Sequence, residues 1–283
     1  MQVIKFQQSR EFTEVLNTTF SFFGQNFKQL MKIVLFTVCP IGVLVSVAIS
    51  YSQSSIWMSE FSGQQAAPDA SFWIGYFFSL IMSLCLPALN ASAVYEYISQ
   101  YGKTQGPVDM TFGQSWLFAT KYFGKMLLAN ISLGILSFLG FMACIIPGLY
   151  VLGAFSLTLP VLANENRGVF DAMSRSKELV TNYWWQTFGV IFLLGLILVS
   201  FVLVLVVPFG LFTGAMTMHA TEDSFNFQVI YISFILLTTV ASYFISSIPM
   251  IGMAVQYHNL IEKKEAVGLA GEIDRIGGEG ETS

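Results

Sequence analysis

Six runs of apolar residues divide the chain, and most are close to the length that a helix needs to cross a lipid bilayer. About 20 mostly apolar residues cross about 30 Å of hydrocarbon. The pattern therefore predicts an all-α membrane protein with six transmembrane helices, in which residues 1–265 form one domain. The predicted crossings are residues 33–51, 72–94, 126–146, 149–163, 188–212 and 229–255.

The third and fourth crossings adjoin each other in the sequence. As one straight helix, residues 126–163 would be about 57 Å long, which is too long for a single crossing. Ile146, Pro147 and Gly148, near the middle, are typical of a turn. We therefore expect two helices joined at these three residues. The short fourth helix then either continues towards Asn166 or thins the bilayer locally.

The basic residues support this arrangement, because Lys and Arg concentrate in the cytoplasmic loops of membrane proteins. All 13 basic residues lie before the first crossing, between the second and third, between the fourth and fifth, or after the sixth. The loops predicted on the other side, at about 52–71, at Pro147 and at about 213–225, contain none. The sequence thus predicts three hairpins with both termini in the cytoplasm, and no cleavable signal.

The composition excludes several classes of protein. Hydrophobic residues make up 54% of the chain and charged residues 11%, whereas a soluble domain has about 25% charged residues. The net charge of −4 gives no indication of a nucleic-acid partner, which would require a basic domain. Cys39, Cys85 and Cys144 lie in separate apolar runs and predict buried thiols rather than disulfides. The glycine-rich, acidic residues 266–283 predict a disordered cytoplasmic tail.

Three amphipathic segments precede the first, third and fifth crossings. Each is followed by an aromatic residue next to a polar one, at 26–27, 121–122 and 182–183, which indicates an internal threefold repeat. Such helices lie in the headgroup region, where they either brace the bundle or form a platform for lipids or partners. The apolar stripes are Phe12, Val15, Leu16, Phe20, Phe23, Phe27 and Leu30; Phe112, Trp116, Ala119, Phe123 and Met126; and Phe170, Met173, Val180 and Trp184. The third stripe is weaker, because Ser176 and Lys177 interrupt it.

Six of the eight prolines lie in the predicted crossings or at their ends. Proline removes an intrahelical hydrogen bond and kinks a helix. These prolines are therefore candidates either for shaping helix packing or for hinges around a cavity. They are Pro40, Pro87, Pro147, Pro160, Pro208 and Pro249.

Few polar side chains fall within or beside the crossings. Asn90 and Asn130 are the deepest amides, and we expect them to form hydrogen bonds between helices. Glu96, Glu165 and Glu262 fall at the cytoplasmic ends of the even-numbered crossings, where we expect each to pair with a nearby basic residue.

Candidate catalytic and metal-binding residues are scarce. The two histidines, His219 and His258, occur without a zinc or iron motif. We therefore predict no cofactor and no catalytic site. A weak metal site at His219 with Glu222 and Asp223 is the remaining alternative.

Residues 146–186 carry the features of a known family. They are the turn at Pro147-Gly148, the Leu159-Pro160-Val161-Leu162 segment that ends at Glu165, the Ala172-Met173-Ser174-Arg175-Ser176 segment, and Tyr183-Trp184-Trp185. This pattern resembles bacterial six-helix membrane proteins of the YciC family and the membrane domain of glycerophosphoryl diester phosphodiesterases. The resemblance implies a place in the bacterial inner membrane near lipids or the envelope. It implies no hydrolase activity, because the catalytic barrel of those phosphodiesterases has no counterpart here.

Two functions remain open from the sequence. One is a non-enzymatic scaffold or accessory component of an envelope complex, with membrane lipids and other envelope proteins as partners. The other is translocation of lipids or small molecules through a proline-kinked core. Arg175 is the candidate lipid contact, since a guanidinium matches phosphate oxygens. The alternative for Arg175 is an ion pair with Asp171, one turn earlier.

Overall fold

The computed structural model describes residues 4–62, 70–218 and 224–265. Within these ranges the chain forms ten helices and no strand. The predicted tail 266–283 and the candidate metal-binding residues His219, Glu222 and Asp223 lie outside them. In chain order, α1 to α10 are Phe12–Gln25, Phe27–Ser62, Ala70–Thr104, Phe112–Lys121, Phe123–Ala143, Ile145–Ala154, Thr158–Glu165, Val169–Val180, Trp184–Met218 and Ser224–Glu265.

Six helical segments are long and apolar enough to cross a membrane, which confirms the predicted all-α, multi-pass membrane fold. In the fourth segment, α6 and α7 follow each other after a short break at residues 155–157. The segments are Phe27–Ser50, Phe72–Thr104, Phe123–Ala143, Ile145–Glu165, Trp184–Leu211 and Val229–Glu265.

The long helices extend beyond the predicted crossings. The predicted loops 52–71 and 213–225 are wrong in extent, since α2 continues to Ser62 and α9 continues to Met218. Hydropathy marks the part of a helix that lies in hydrocarbon. A helix satisfies its own backbone hydrogen bonds, so its polar ends need not unwind where the apolar run stops.

The break between the third and fourth crossings lies two residues earlier than predicted. Helix α5 ends at Ala143, Cys144 is fully extended (φ −177°, ψ 164°), and α6 begins at Ile145. Pro147 therefore lies in the first turn of α6, where a helix has no use for the N–H group that proline lacks. At its other end the segment continues to Glu165 and stops at Asn166, whose φ of 48° is left-handed.

The three amphipathic segments form α1, α4 and α8, and each precedes a long helix. The chain breaks between the amphipathic and the long helix at Asn26, at Tyr122 and at residues 181–183, where the sequence showed matching polar-aromatic pairs. Each amphipathic helix buries one face against the long helices, for example Phe22, Phe118 and Leu179. A short amphipathic helix thus precedes a long helix three times along the chain; the internal repeat itself stays a prediction.

Most of the buried core lies at one end of the bundle. We call it the basic end; it comprises residues 4–34, 94–125, 158–188 and 251–265. It holds the large, fully buried side chains Tyr97, Tyr101 and Leu179. All basic residues in the described ranges lie there, and only Arg275 falls outside the description.

Away from the basic end, apolar side chains are largely exposed, as lipid-facing residues must be. Ile74 is 71% exposed, Val204 71% and Leu211 72%. Lipid tails are as apolar as these side chains, so the long helices need little mutual burial there.

Candidate functional site

Arg175, the candidate headgroup contact, is held by three carboxylates from three helices. Its Nε donates to Oε1 of Glu165 at 3.3 Å, and its Nη1 lies 3.2 Å from Oε2 of Glu178. Its Nη2 donates to Oε1 of Glu265, at the end of α10. The side chain is only 12% exposed. Arg175 therefore ties α7 and α10 to α8.

The partners of Arg175 differ from the predicted one. Asp171 forms no ion pair with it among the described residues, because Glu165, Glu178 and Glu265 surround the guanidinium instead. Burial alone would lower the pKa of Arg175, but hydrogen bonds and charges from these carboxylates outweigh burial and raise it. A guanidinium engaged in this way has few donors left for a lipid phosphate.

Glu165 is the centre of the same cluster. Its Oε2 lies 2.6 Å from Nε of Arg167, and its Oε1 accepts a hydrogen bond of 3.0 Å from the hydroxyl of Tyr257. The expected pairing of Glu165 with basic residues is thus confirmed. The cluster joins the end of α7 to α8 and α10.

A second buried charge is Glu96, whose side chain on α3 is 2% exposed. Its Oε2 lies 2.7 Å from Nζ of Lys121 and has no other partner in the described structure, while Gln100 donates to Oε1 at 2.7 Å. Burial lowers the pKa of Lys121, but its hydrogen bonds to Glu96 and Tyr122 outweigh that effect and raise it. The pairing predicted for Glu96 is confirmed; that for Glu262 stays a prediction.

Asn90 forms the expected bond between helices. Its Nδ2 donates to the Tyr243 carbonyl at 3.4 Å and to Oγ of Ser246 at 3.3 Å, which links α3 to α10. Its Oδ1 is buried and has no partner within the described ranges. Asn130 forms no side-chain hydrogen bond to another helix in that part of the chain, so the expectation for Asn130 is wrong.

The six prolines fall into two groups. Pro40, Pro87, Pro208 and Pro249 lie inside long helices, where each removes one intrahelical hydrogen bond. Pro147 and Pro160 lie in the first turns of α6 and α7, where no such bond is lost. For the four prolines inside long helices, both interpretations from the sequence stay open: they either shape helix packing or act as hinges around a cavity.

A buried polar chain at the basic end was not anticipated from the sequence. The N–H of Arg10 donates to Oδ1 of Asn259 at 2.7 Å, Asn259 donates to Oε1 of Gln256 at 3.1 Å, and Gln256 donates to Oγ1 of Thr187 at 3.0 Å. All four residues are buried. The sequence feature that could have predicted this chain is the pair Gln256 and Asn259. They are three residues apart and therefore lie on one face of α10.

Ser176 is a second residue whose role was missed. Its hydroxyl accepts from the Leu157 N–H at 3.1 Å and donates to the Ala154 carbonyl at 2.9 Å. It thereby satisfies backbone groups at the break between α6 and α7. The sequence did contain an indication of this role, because Ser176 is a polar residue that interrupts the third apolar stripe.

No group of three His, Cys, Asp or Glu residues within the described ranges could hold a metal ion. Comparison with protein-family models, with curated proteins and with solved structures found no match.

Proposed function

We propose that this chain is a non-enzymatic integral protein of the bacterial inner membrane that acts as a scaffold or accessory component of an envelope complex. The observation that supports this most is the construction of the basic end. Three amphipathic helices are packed on the long helices, and ion pairs to the long helices or to α7 fix two of them, α4 and α8. This construction gives a firmly held surface at one end of the membrane domain.

The outward face of α8 is the proposed partner contact. Asp171, Ser174, Lys177 and Glu178 are exposed on it, whereas Arg175 is turned inward to Glu165 and Glu265. A rigid helix with a mixed polar face is suited to a protein partner, because little conformational entropy is lost on binding.

The proposed location and orientation follow from the sequence. The distribution of basic residues supports cytoplasmic termini and a cytoplasmic basic end. The resemblance of residues 146–186 to the YciC type supports the bacterial inner membrane.

Native mass spectrometry after mild extraction from the source membrane tests the scaffold role. We expect a stoichiometric protein partner to be retained by the wild type and lost from Ser174→Arg, because a bulky cation then stands at the centre of the α8 face. Ser21→Arg is the matched control, since Ser21 is equally exposed but lies on α1. It should retain the partner.

Two results would overturn this proposal. One is a wild-type protein that carries no stoichiometric partner in several mild detergents. The other is equal retention of the partner by Ser174→Arg and Ser21→Arg, which would remove the α8 face from the contact.

Translocation of lipids or solutes is the second candidate, and one observation favours it. The Asn90 Oδ1 atom is buried without a partner within the described ranges, three residues after Pro87, and Ser246 lies three residues before Pro249. A polar group between two proline-interrupted helices is a feature of transport sites. Translocation predicts that wild-type protein speeds lipid exchange between the leaflets of vesicles and that Asn90→Leu slows it. Exchange no faster than in empty vesicles would exclude this candidate for lipids.

A further inference from the structure

A partly enclosed cavity of about 560 Å³ lies at the basic end, between the N-terminal segment and the ends of three helices. Its walls come from residues 4–7, the last turns of α3, the end of α7 and the end of α10. Its volume is in the range of small-molecule sites, about 300–1,000 Å³.

The N-terminal segment that forms one wall is held firmly in place. Phe6 is buried against the rings of Phe22, Tyr101 and His258. The guanidinium of Arg10 donates to the carbonyls of Phe6, at 2.8 Å, and of Lys5. The cavity is therefore a built feature of the fold, because buried contacts fix the backbone that closes it.

The charges around the cavity have one sign. Lys5 and Lys103 line it, and no Asp or Glu is among its lining residues in the described part of the chain. Neither lysine forms an ion pair within the described part of the chain, whereas Lys32, Lys121, Arg167 and Arg175 all do. Other lysines of the basic end, such as Lys28 and Lys177, also lack an ion pair in the described ranges, but they do not line the cavity. Lys5 and Lys103 are distinguished because both lie at the same cavity.

Neutral polar groups complete the lining. Ser99, Asn164 and His258 contribute a hydroxyl, an amide and an imidazole. The nitrogens of His258 form no hydrogen bond to the described residues, and its ring packs beside Phe6 and Tyr257. Since His258 lines the cavity, its nitrogens are candidate hydrogen-bonding groups for a ligand there.

We propose that this cavity binds a phosphate group, with Lys5 and Lys103 supplying the charge and His258 and Asn164 supplying hydrogen bonds. Lysine ammonium groups bind phosphate as point charges. Three of the walls lie just past the predicted crossings that end at residues 94, 163 and 255, which is the level of lipid headgroups. The phosphate therefore belongs either to a lipid or to a soluble phosphate compound. The inference goes beyond the scaffold role and does not depend on it.

Two probes distinguish these sources on the purified full-length protein. Inorganic pyrophosphate, titrated in an uncharged detergent while the thermal unfolding midpoint is followed, reports on soluble phosphates. Retention of phosphatidylglycerol in native mass spectra, compared with diacylglycerol of the same chains, reports on lipids. Pyrophosphate binding alone, lipid retention alone, or both support the site and identify its source.

The decisive variant is Lys5→Gln combined with Lys103→Gln. We expect the dissociation constant of the bound probe to rise about tenfold or more, because the variant removes two charge-assisted contacts to the phosphate. Lys28→Gln with Lys177→Gln is the matched control: both lysines are exposed at the basic end, neither lines the cavity, and the change in charge is identical. This control should keep wild-type affinity.

The proposal is overturned if pyrophosphate leaves the unfolding midpoint of the wild type unchanged and phosphatidylglycerol is retained no better than diacylglycerol. It is also overturned if the two double variants weaken binding equally, because the effect would then reflect general surface charge. Circular dichroism and gel filtration of both variants verify that each is folded.

Discussion

Glu96 and Lys121 show how single residues stabilise the basic end. A carboxylate that is 2% exposed is costly to desolvate, and the ammonium of Lys121 at 2.7 Å offsets that cost. Such a pair need add little net stability, but removal of one partner leaves a buried charge without compensation.

We therefore expect Lys121→Met to destabilise the protein by about 2 kcal/mol, below the full penalty for a buried pair because Lys121 is 41% exposed. In nanodiscs, the thermal unfolding midpoint of Lys121→Met should lie about 5 °C below that of the wild type. Lys125→Met is the control, since Lys125 bonds only to the neutral Asn166 among the described residues. Adding Glu96→Gln to Lys121→Met should restore part of the loss. An unchanged midpoint in Lys121→Met would contradict this account.

Asp109 gives a pH-dependent contact in the loop between α3 and α4. Hydrogen bonds from Lys32 and Gln29 and the charge of Lys32 lower the pKa of Asp109. A lowered carboxyl pKa stabilises the contact above the unfolded value of about 3.9, and the stabilisation is lost as pH falls through the folded value.

Hydrogen exchange of residues 106–111 is the measurement for this contact. Protection in the wild type should fall as the pH is lowered from about 5 to about 3. In Asp109→Asn, protection should already be low at pH 5 and show no such step. Identical pH profiles for the two proteins would mean that Asp109 does not hold the loop.

Among the elements, α5 and α6 pack at a distance that glycine alone permits. A Cβ atom on Gly148 would lie 2.4 Å from the ring of Phe141, and one on Gly140 would lie 3.1 Å from Cα of Gly148. Close approach at small residues is a common way for membrane helices to associate, because packing rather than the hydrophobic effect drives them together.

Gly148→Ala should therefore push α6 away from α5 and lower the unfolding midpoint by several degrees, by analogy with overpacked cores that lose about 1–3 kcal/mol. Gly134→Ala is the matched control, because a Cβ there meets nothing within 4 Å. Alanine also has the better helix propensity, so this control should leave the midpoint unchanged or raise it. Equal midpoints for the two variants would disprove the tight α5–α6 contact.

At the scale of the whole molecule, the two ends of the bundle differ in construction. The basic end has a packed core with buried ion pairs, whereas the rest of the bundle exposes apolar side chains to lipid. Cys144, at the break between α5 and α6, is exposed, so the prediction of a buried thiol is wrong at this position. It lies on the side predicted to be outside the cytoplasm.

Cys144 consequently serves as a native topology probe. In a Cys39→Ala, Cys85→Ala background we expect a membrane-impermeant maleimide to label it in intact spheroplasts, because cytoplasmic termini place this turn outside. Ser174→Cys, with Cys144→Ala added, should be labelled only after permeabilisation. The reverse pattern would invert the proposed orientation.

The number of crossings and their approximate positions were predictable from the sequence. A bilayer demands about 20 apolar residues per crossing and a helix that satisfies its own hydrogen bonds, so hydropathy alone identifies the spans. Basic residues cluster in alternate loops, and those loops meet in the fold. The C-terminal ends of α2 and α9 were predicted too early, because hydropathy does not report on the parts of a helix that extend beyond the hydrocarbon region.

The partners of the buried polar groups required the folded structure. Spacing along one helix pointed from Arg175 to Asp171, but the partner on that helix is Glu178. Arg175 also pairs with Glu265, 90 residues away. Arg10 likewise bonds to Asn259 across 249 residues. Such partners come from separate helices, and their meeting depends on how far each helix is rotated and how deeply it sits. Packing between helices sets both quantities, and no local pattern encodes them.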